Sequence, residues 1–440
     1  MRLWKNSKYV EKGDYYLVDD NNEKYVLDAI KNGASKIITE TNNTYDIDTI
    51  KVDSVNEYIK NYYDFSDIKL IGITGTNGKT TTCFLIYQMF KYLNVKVAYI
   101  GTIGFYIENK ITDLENTTPS IDYLYNLINY AKEEKCEVVI MEVSSHALKQ
   151  DRVYGLLFDA IAVTNVTKDH LDYHKNMKDY ILSKQKIIYL TNNKKIAILN
   201  GNDKRYKKFI NKDNKNIIIK KNIKIKKVKI NLDSMLLYFK DNKSRNVKLS
   251  LVGYFNAYNF LMAYLIIKEL GYDYEKVLLN SEKFHEPMGR LDKITYNKNV
   301  IFIDYAHTPD AVKKVLKTVK KIKNKGIITI IGCGGNRDAL KRPIMAKIAC
   351  YLSSYVIFTN DNPRFEDEKD IMNDILNGAK GKYEVIYDRF NAIKKGISML
   401  NNNMILMILG KGHEDYQIIG DKKYHFSDKE SVIKIINDID

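Results

Sequence analysis

The sequence predicts an α/β protein built on parallel sheets. Three observations predict it. From Leu70 onward, short apolar runs alternate with helical stretches, as in a sheet with crossover helices. The first of these runs ends in a glycine loop that opens a helix. A second alternating series begins near residue 290, and each of its runs ends in a polar or glycine-rich segment. At 440 residues the chain is long enough for two or three domains, each with its own core.

Residues 1 to about 65 read as a small α/β module. Tyr15–Val18 and Lys36–Thr39 are strand-like, and a helical pattern covers Tyr25–Asn32. A polar, aromatic stretch from Asn56 to Asp67 connects this module to the glycine loop. The loop itself reads Gly75-Thr76-Asn77-Gly78-Lys79-Thr80-Thr81-Thr82 after the apolar run Leu70–Ile73. Its glycines let backbone N–H groups close around a phosphate. Lys79 supplies a point charge, Thr80 a hydroxyl for a magnesium ion, and the helix N-terminus a favourable dipole. The loop is therefore expected to bind ATP or GTP. It departs from the general phosphate-loop pattern, because Ile73 stands five residues before Gly78 where a glycine is usual.

Val95–Ile100, Val138–Val143 and Ala160–Val166 continue the central series. Residues 195 to 250 are more strand-like and irregular. Within them, Lys220–Ile230 alternates Lys with Ile and Val, which suits exposed strands with one solvated face. The second series has strands at Val300–Ile303, Ile327–Ile331, Val356–Phe358 and Met404–Leu409. They run into Asp304–His307, Gly332–Gly335, Asn360–Arg364 and Gly410–Glu414. Ligands of open parallel sheets sit outside the carboxyl ends of strands, so these four segments are expected to line one cleft.

Composition narrows the function. No apolar run is long enough for a membrane span, and the N-terminus lacks a signal-like stretch. Four scattered cysteines, Cys83, Cys136, Cys333 and Cys350, read as reduced thiols of a cytoplasmic protein. The net charge of +16 is spread through a lysine-rich surface. It is read as general basicity that favours an anionic substrate, without a nucleic-acid partner.

Several side chains stand where chemistry is expected. Glu142 ends a buried-looking strand and is placed to reach a metal over the phosphate loop; a helix-capping acid is the plain alternative. Asp169-His170-Leu171-Asp172-Tyr173-His174 mixes oxygen donors with imidazoles, which suits magnesium or manganese if few imidazoles bind. No third His or Cys stands at zinc-ligand spacing. By residue type alone, Lys184 is a surface lysine on a helix. Arg290, between the two α/β series, is either a phosphate clamp or an interdomain salt bridge.

Together these motifs resemble the Mur ligases, ATP-dependent amide-forming enzymes of peptidoglycan precursor synthesis. The resemblance runs over nearly the whole chain. It includes Gly75–Thr82, Thr117–Ser120, Glu142–Leu148, Gln150–Val153, Asp169–His174, Gly253–Asn256, Gly289-Arg290, Asp304–Asp310, Asp361–Arg364 and Gly410–Gln417. Within the family it is most similar to the ligases that add the third peptide residue.

The resemblance implies three domains: a uridine-nucleotide module at 1–66, a central phosphate-loop ATPase domain at 67–288, and a Rossmann-like domain at 289–440. It implies a cytoplasmic monomer using ATP and two magnesium ions, which adds meso-diaminopimelate to a UDP-linked muramoyl dipeptide. Catalysis is implied for Lys79, Glu142, His170 and Lys184, the last as a carbamate that joins Thr80, Glu142 and His170 around metal. ATP contacts are implied for Gly75–Thr81, Asn256, Arg290, Asp304 and His307. Nucleotide-peptide contacts are implied for Ser7, Thr117, Thr118, Ser145, Gln150 and Arg152. The amino-acid pocket is implied at Arg337, Asp361, Asn362, Pro363, Arg364, Gly410 and Glu414, with Arg364 pairing the distal carboxylate of diaminopimelate.

Two departures stand out: Asn6–Asp14 has Asn and Lys where the family shows Asp and Arg, and Leu340 replaces a usual glycine. A lysine-adding ligase, a folylpolyglutamate-type ligase, a basic ATPase acting on nucleic acid and a catalytically silent paralogue that only binds nucleotide are the rivals, the last opposed by the presence of Lys79, Glu142, His170 and Lys184. The Asp-Asn-Pro-Arg motif at 361–364 speaks against the second, and Thr117-Thr118 with Gly410–Glu414 against the third.

Overall fold

The structure, a computed structural model, describes residues 1–322, 326–401 and 404–438. Among the described residues five sheets are built in chain order. The first carries β1 (Leu3–Trp4), β2 (Tyr15–Val18), β3 (Lys36–Thr39) and β4 (Thr49–Lys51), all parallel. Helices α1 (Val26–Lys31) and α2 (Val55–Tyr62) accompany it.

Helix α2 lies where the sequence reading placed a connecting stretch. Ser54 starts it, its hydroxyl accepting from the Glu57 N–H at 3.3 Å. Ser54-x-x-Glu57 is a capping-box pattern, and Val55 and Ile59, four apart, bury the inner face. The aromatic-rich composition had hidden this local signal.

The central sheet holds β5 (Lys69–Thr74), β6 (Val97–Gly101), β7 (Gly104–Ile107), β8 (Asn109–Thr112), β9 (Val138–Glu142), β10 (Phe158–Val163), β11 (Thr191–Asn200) and β12 (Lys215–Ile219). Its spatial order is β12-β11-β10-β5-β9-β6-β7-β8. The six strands from β12 to β6 are parallel, and β7 and β8 add an antiparallel edge. β5 therefore sits in the middle, flanked by β9 and β10. Side chains at the carboxyl ends of all three converge there.

The central helices are α3 (Lys79–Tyr92), α4 (Ile121–Glu133), α5 (Ser145–Lys149), α6 (Met177–Gln185), α7 (Tyr254–Glu269) and α8 (Tyr274–Leu279). α7 is apolar nearly all round and is buried from Asn256 to Ile267. It packs in one core with α3 and the sheet. A three-stranded antiparallel sheet of β13 (Lys224–Ile230), β14 (Met235–Lys240) and β15 (Ser244–Leu249) completes this region. On β13 the lysines point to solvent while Ile225, Val228 and Ile230 turn inward, the alternation read from the sequence.

The last large sheet holds β16 (Asp292–Tyr296), β17 (Asn299–Asp304), β18 (Ile327–Ile331), β19 (Tyr355–Phe358), β20 (Tyr383–Val385) and β21 (Ile405–Leu409). Its order is β16-β17-β21-β18-β19-β20, parallel except for β16. α9 (Pro309–Ile322), α10 (Lys341–Leu352) and α11 (Glu368–Leu376) cover one face. α12 (Arg389–Ser398) and α13 (Asp428–Asn437) cover the other. A hairpin of β22 (Tyr416–Ile419) and β23 (Lys422–His425) follows β21.

The four segments expected to share a cleft leave the adjacent strands β17, β21, β18 and β19. Leu340 causes no distortion: it precedes α10 at φ −63° and ψ −20°, a right-handed conformation open to any residue. Among the described residues no helix is long and apolar enough to cross a membrane.

Candidate active site

The glycine loop leaves β5 and enters α3 as expected. Gly75 has φ +146°, and a Cβ built there would lie 1.9 Å from the Thr164 hydroxyl. That hydroxyl is already engaged, donating to the Asn77 carbonyl at 2.7 Å. Gly75→Ala combines backbone strain with overpacking, so it should destabilise the central domain by about 2–6 kcal/mol. Calorimetry of the purified variant checks this. An unchanged melting temperature would mean that the loop yields easily.

Lys79 is half-buried, and its ammonium donates to the carbonyls of Gly75 at 3.0 Å and Thr76 at 3.1 Å. Desolvation lowers its pKa, against the pull of Glu142 and Asp169. Lys184 corrects the reading from residue type: it is 1% exposed, not a surface lysine. Asn176 caps its helix, accepting from the N–H groups of Lys178 and Asp179, and α6 carries the lysine inward. Its amine donates to the same Gly75 carbonyl at 3.0 Å and lies 4.7 Å from the Tyr180 ring centre. Burial, then the charge of Lys79, pushes its pKa well below the lysine range. Two amines share one carbonyl.

Glu142 at the end of β9 is fully buried. It accepts from the Thr80 hydroxyl at 3.0 Å, the Tyr99 hydroxyl at 2.6 Å, and the Thr102 N–H and hydroxyl at 2.8 and 3.2 Å. Among the described residues no cationic side chain lies within ion-pair distance of it. A buried carboxylate without a cation is costly, and an oxygen-rich setting suits a hard metal ion. Thr80 also accepts from Arg290 at 3.3 Å.

No three His, Cys, Asp or Glu side chains among the described residues converge as a closed metal cage. A site here has to be completed by substrate oxygens and water, the usual habit of magnesium. His170 is held at φ +52°, its Nε2 3.5 Å from Asp169. Desolvation in the cleft lowers it to about 4, so it is neutral at pH 7.

The nucleotide-peptide candidates form a strip that starts at Glu142. Thr117 meets Thr102 at 3.1 Å, and the Thr118 hydroxyl donates to the Glu142 carbonyl at 2.8 Å. Arg152 donates to the Thr118 carbonyl at 2.7 Å and to Gln150 at 2.8 Å, while Ser145 meets His174 at 3.0 Å. Ser7 stands apart, buried in the N-terminal module, where its carbonyl accepts from Asn32 at 2.9 Å.

A cavity of about 880 Å³ opens beside the loop between the central and C-terminal sheets. Asn77, Gly78, Thr81, Asn256, Arg290, Asp304 and His307 all line it. Among the described residues Arg290 forms no salt bridge. Its guanidinium stacks 4.6 Å from the Tyr305 ring centre. Asp304 is buried, accepts from the N–H groups of Leu291 and Ala306, and is raised by burial to about 6. Asn256 donates to the Val252 carbonyl at 2.9 Å and to Glu286 at 3.2 Å, and accepts from Asn259 at 2.8 Å.

The amino-acid candidates also assemble. Asn362 donates to Glu414 at 2.9 Å, and a Cβ on Gly410 would lie 2.6 Å from Asp361. Arg364 is half-buried with φ +57°, and its guanidinium donates to the carbonyls of Gly335 at 2.9 Å and Asn362 at 3.4 Å. Among the described residues it has no carboxylate partner. Gly335 is needed for the close approach of the Pro363 carbonyl, 1.9 Å from a built Cβ. Arg337 stands exposed on the rim near Gly334.

Sequence reasoning missed several members. Tyr99 and Thr102 hold Glu142, and Asn77 donates to Asp310 at 3.1 Å across the cleft. Glu286 is half-buried beside Asn256 and raised to about 8 by desolvation. Lys341, opening α10, adds positive charge near Asp169 and His307. Of these, only Asp310 had a local signal, as the first acid of a helix.

Comparison with known proteins bears on this arrangement. Residues 73–267 match the Mur ligase middle domain, and residues 289–412 match the Mur ligase, glutamate ligase domain. A UDP-N-acetylmuramoyl-L-alanyl-D-glutamate--2,6-diaminopimelate ligase of Cytophaga hutchinsonii is 36% identical over 454 residues, covering 98% of this chain and 93% of that protein. One from Clostridium botulinum is 35% identical, covering 99% and 94%. A solved structure of such a ligase aligns over 100% of this chain and 95% of its own, at 29% identity and a TM-score of 0.69.

Proposed function

The chain belongs to the Mur ligase family, and from that premise we propose that it is the ATP-dependent ligase that joins meso-diaminopimelate to UDP-N-acetylmuramoyl-L-alanyl-D-glutamate. Residues 1–66 hold the uridine nucleotide, residues 67–288 the ATP, and residues 289–440 the amino acid. The enzyme works as a cytoplasmic monomer. The observation that supports the reading best is the node at Glu142. A buried carboxylate with no ion-pair partner among the described residues meets the phosphate-loop Thr80, with Lys79 and Lys184 on the Gly75 carbonyl.

A carboxylate is a poor acceptor for an amine. Its oxygen therefore attacks the γ-phosphorus of ATP, the bond to ADP breaks, and an acyl phosphate forms. The free amine of the incoming amino acid then attacks the acyl carbon and phosphate leaves. Lys79 and Arg290 supply fixed positive charge where the phosphate oxygens gather negative charge. Thr80, Glu142, His170 and Lys184 are the residues that would hold magnesium, Lys184 as a carbamate. Two magnesium ions, when bound, neutralise phosphate charge. Thr117, Thr118, Ser145, Gln150 and Arg152 align the nucleotide-peptide, and Asp361, Asn362 and Glu414 receive the ammonium group.

Arg364 decides between meso-diaminopimelate and L-lysine, which differ by one distal carboxylate. The guanidinium is held by two carbonyls and, among the described residues, has no carboxylate partner of its own. A bound carboxylate gains a charge-assisted pair that lysine cannot make. For a half-buried arginine this is worth about 1.5–3 kcal/mol, or roughly 10- to 150-fold in kcat/KM. Phosphate release with ATP, the nucleotide dipeptide and a panel of amino acids tests both claims. Diaminopimelate should win in the wild type, and Arg364→Ala should lose that preference while using lysine much as before. A wild-type preference for lysine would overturn the substrate assignment.

A further inference from the structure

Lys411 lies inside the segment Gly410–Glu414 but is neither glycine turn nor acidic contact. It is fully buried. Its ammonium donates to Asn362 Oδ1 at 3.2 Å, to Glu414 Oε2 at 3.4 Å, and to the Tyr416 carbonyl. An ammonium has three N–H groups, so these contacts use all of them and leave none for a substrate.

The contacts close a ring. Asn362 Oδ1 also accepts from the Ile418 N–H at 3.0 Å, which fixes the amide with its oxygen toward Lys411. Its Nδ2 must then face Glu414, and it donates to Oε2 at 2.9 Å. Oε2 is thus occupied twice, and Oε1 is left facing Tyr305, whose hydroxyl is 3.4 Å away.

The pocket also contains Asp361. Burial, then Asp361, raises the pKa of Glu414, so the pair resists carrying two charges.

We propose that Lys411 is a positioning residue for the amino-acid substrate: through its ring with Asn362 and Glu414 it holds the Glu414 carboxyl in place with Oε1 aimed at the substrate ammonium. This rests on the reading of Asp361–Arg364 and Gly410–Glu414 as the amino-acid pocket. A residue that merely knits the loop to β22 would weaken all substrates alike or lower stability.

The test uses the full chain, saturating ATP and nucleotide dipeptide, and varied meso-diaminopimelate, with phosphate release as readout. Lys411→Met should raise KM for the amino acid at least about 30-fold. KM for ATP should stay within about 3-fold of wild type, since the contacts to Lys411 lie outside the phosphate loop. In a Glu414→Gln background the same substitution should change the amino-acid KM less than about 3-fold, because the charge it serves is gone. Additive losses, or an equal rise in KM for ATP, would overturn the inference. Should Lys411→Met not fold, Lys411→Gln, which keeps two N–H donors without the charge, carries the same expectations. If the wild type releases phosphate with no amino acid of the panel, the pocket reading fails first. An active wild type whose amino-acid KM survives Lys411→Met overturns the role of Lys411 alone.

Discussion

Lys79→Ala abolishes turnover, with kcat/KM for ATP falling at least about 1000-fold. The ammonium stands at the turn between β5 and α3, where the phosphates of ATP are expected, and two of its three N–H groups are held by the carbonyls of Gly75 and Thr76. Those contacts fix its direction before any nucleotide arrives, so little reorganisation accompanies reaction. Loss of one preorganised donor at a developing oxyanion removes about 100- to 1000-fold. Here a full charge is lost as well.

The fold should survive the change. Desolvation depresses the Lys79 pKa below its unfolded value, so at pH 7 the charged form costs stability in the folded state. Lys79→Met, which keeps the packing and drops the charge, should therefore melt no lower than wild type. Phosphate release and calorimetry on the two variants check both halves. Near-normal release by Lys79→Ala would remove the residue from catalysis, and a collapsed melting temperature for Lys79→Met would make its role structural.

How far the sequence reached depended on whether a signal was local. The glycine loop was legible because glycine, lysine and threonine at those spacings serve one purpose after a strand. The convergence of Asp304–His307, Asn360–Arg364 and Gly410–Glu414 was legible because strands of an open sheet put their carboxyl ends on one side. Lys184 was not legible from physics, since nothing in Tyr180–Gln185 says which face of α6 turns to the phosphate loop; only the family resemblance raised it. Arg290 was undecided between clamp and salt bridge, and its stacking on Tyr305 depends on a partner fifteen residues onward. Glu286 and Tyr99 carry no pattern at all, because their contacts arise from tertiary packing against Asn256 and Glu142. The capping box at Ser54 was a readable signal that the surrounding tyrosines obscured.

Lys184→Ala should lower kcat about 1000-fold or more while the protein stays folded. The amine is 1% exposed, donates to the Gly75 carbonyl, and lies near Lys79 and Asp169. Burial and the Lys79 charge both favour its neutral form, and only a neutral amine attacks carbon dioxide. The nitrogen lone pair forms a bond to carbon, one proton passes to water, and a carbamate with a single negative charge results. That change sets a negative charge near Lys79.

The sign with pH follows. Acid protonates the amine and releases carbon dioxide, so activity should fall as pH is lowered. Added bicarbonate should restore part of it in wild type and none in Lys184→Ala. Acetate, which brings two carboxylate oxygens without a lysine stem, should partly rescue Lys184→Ala and leave wild type unchanged. Carbon-13 bicarbonate should give a carbamate resonance in wild type that is missing from the variant. If Lys184→Ala keeps activity within about 10-fold of wild type, or if bicarbonate has no effect on either protein, the lysine only packs beneath the loop.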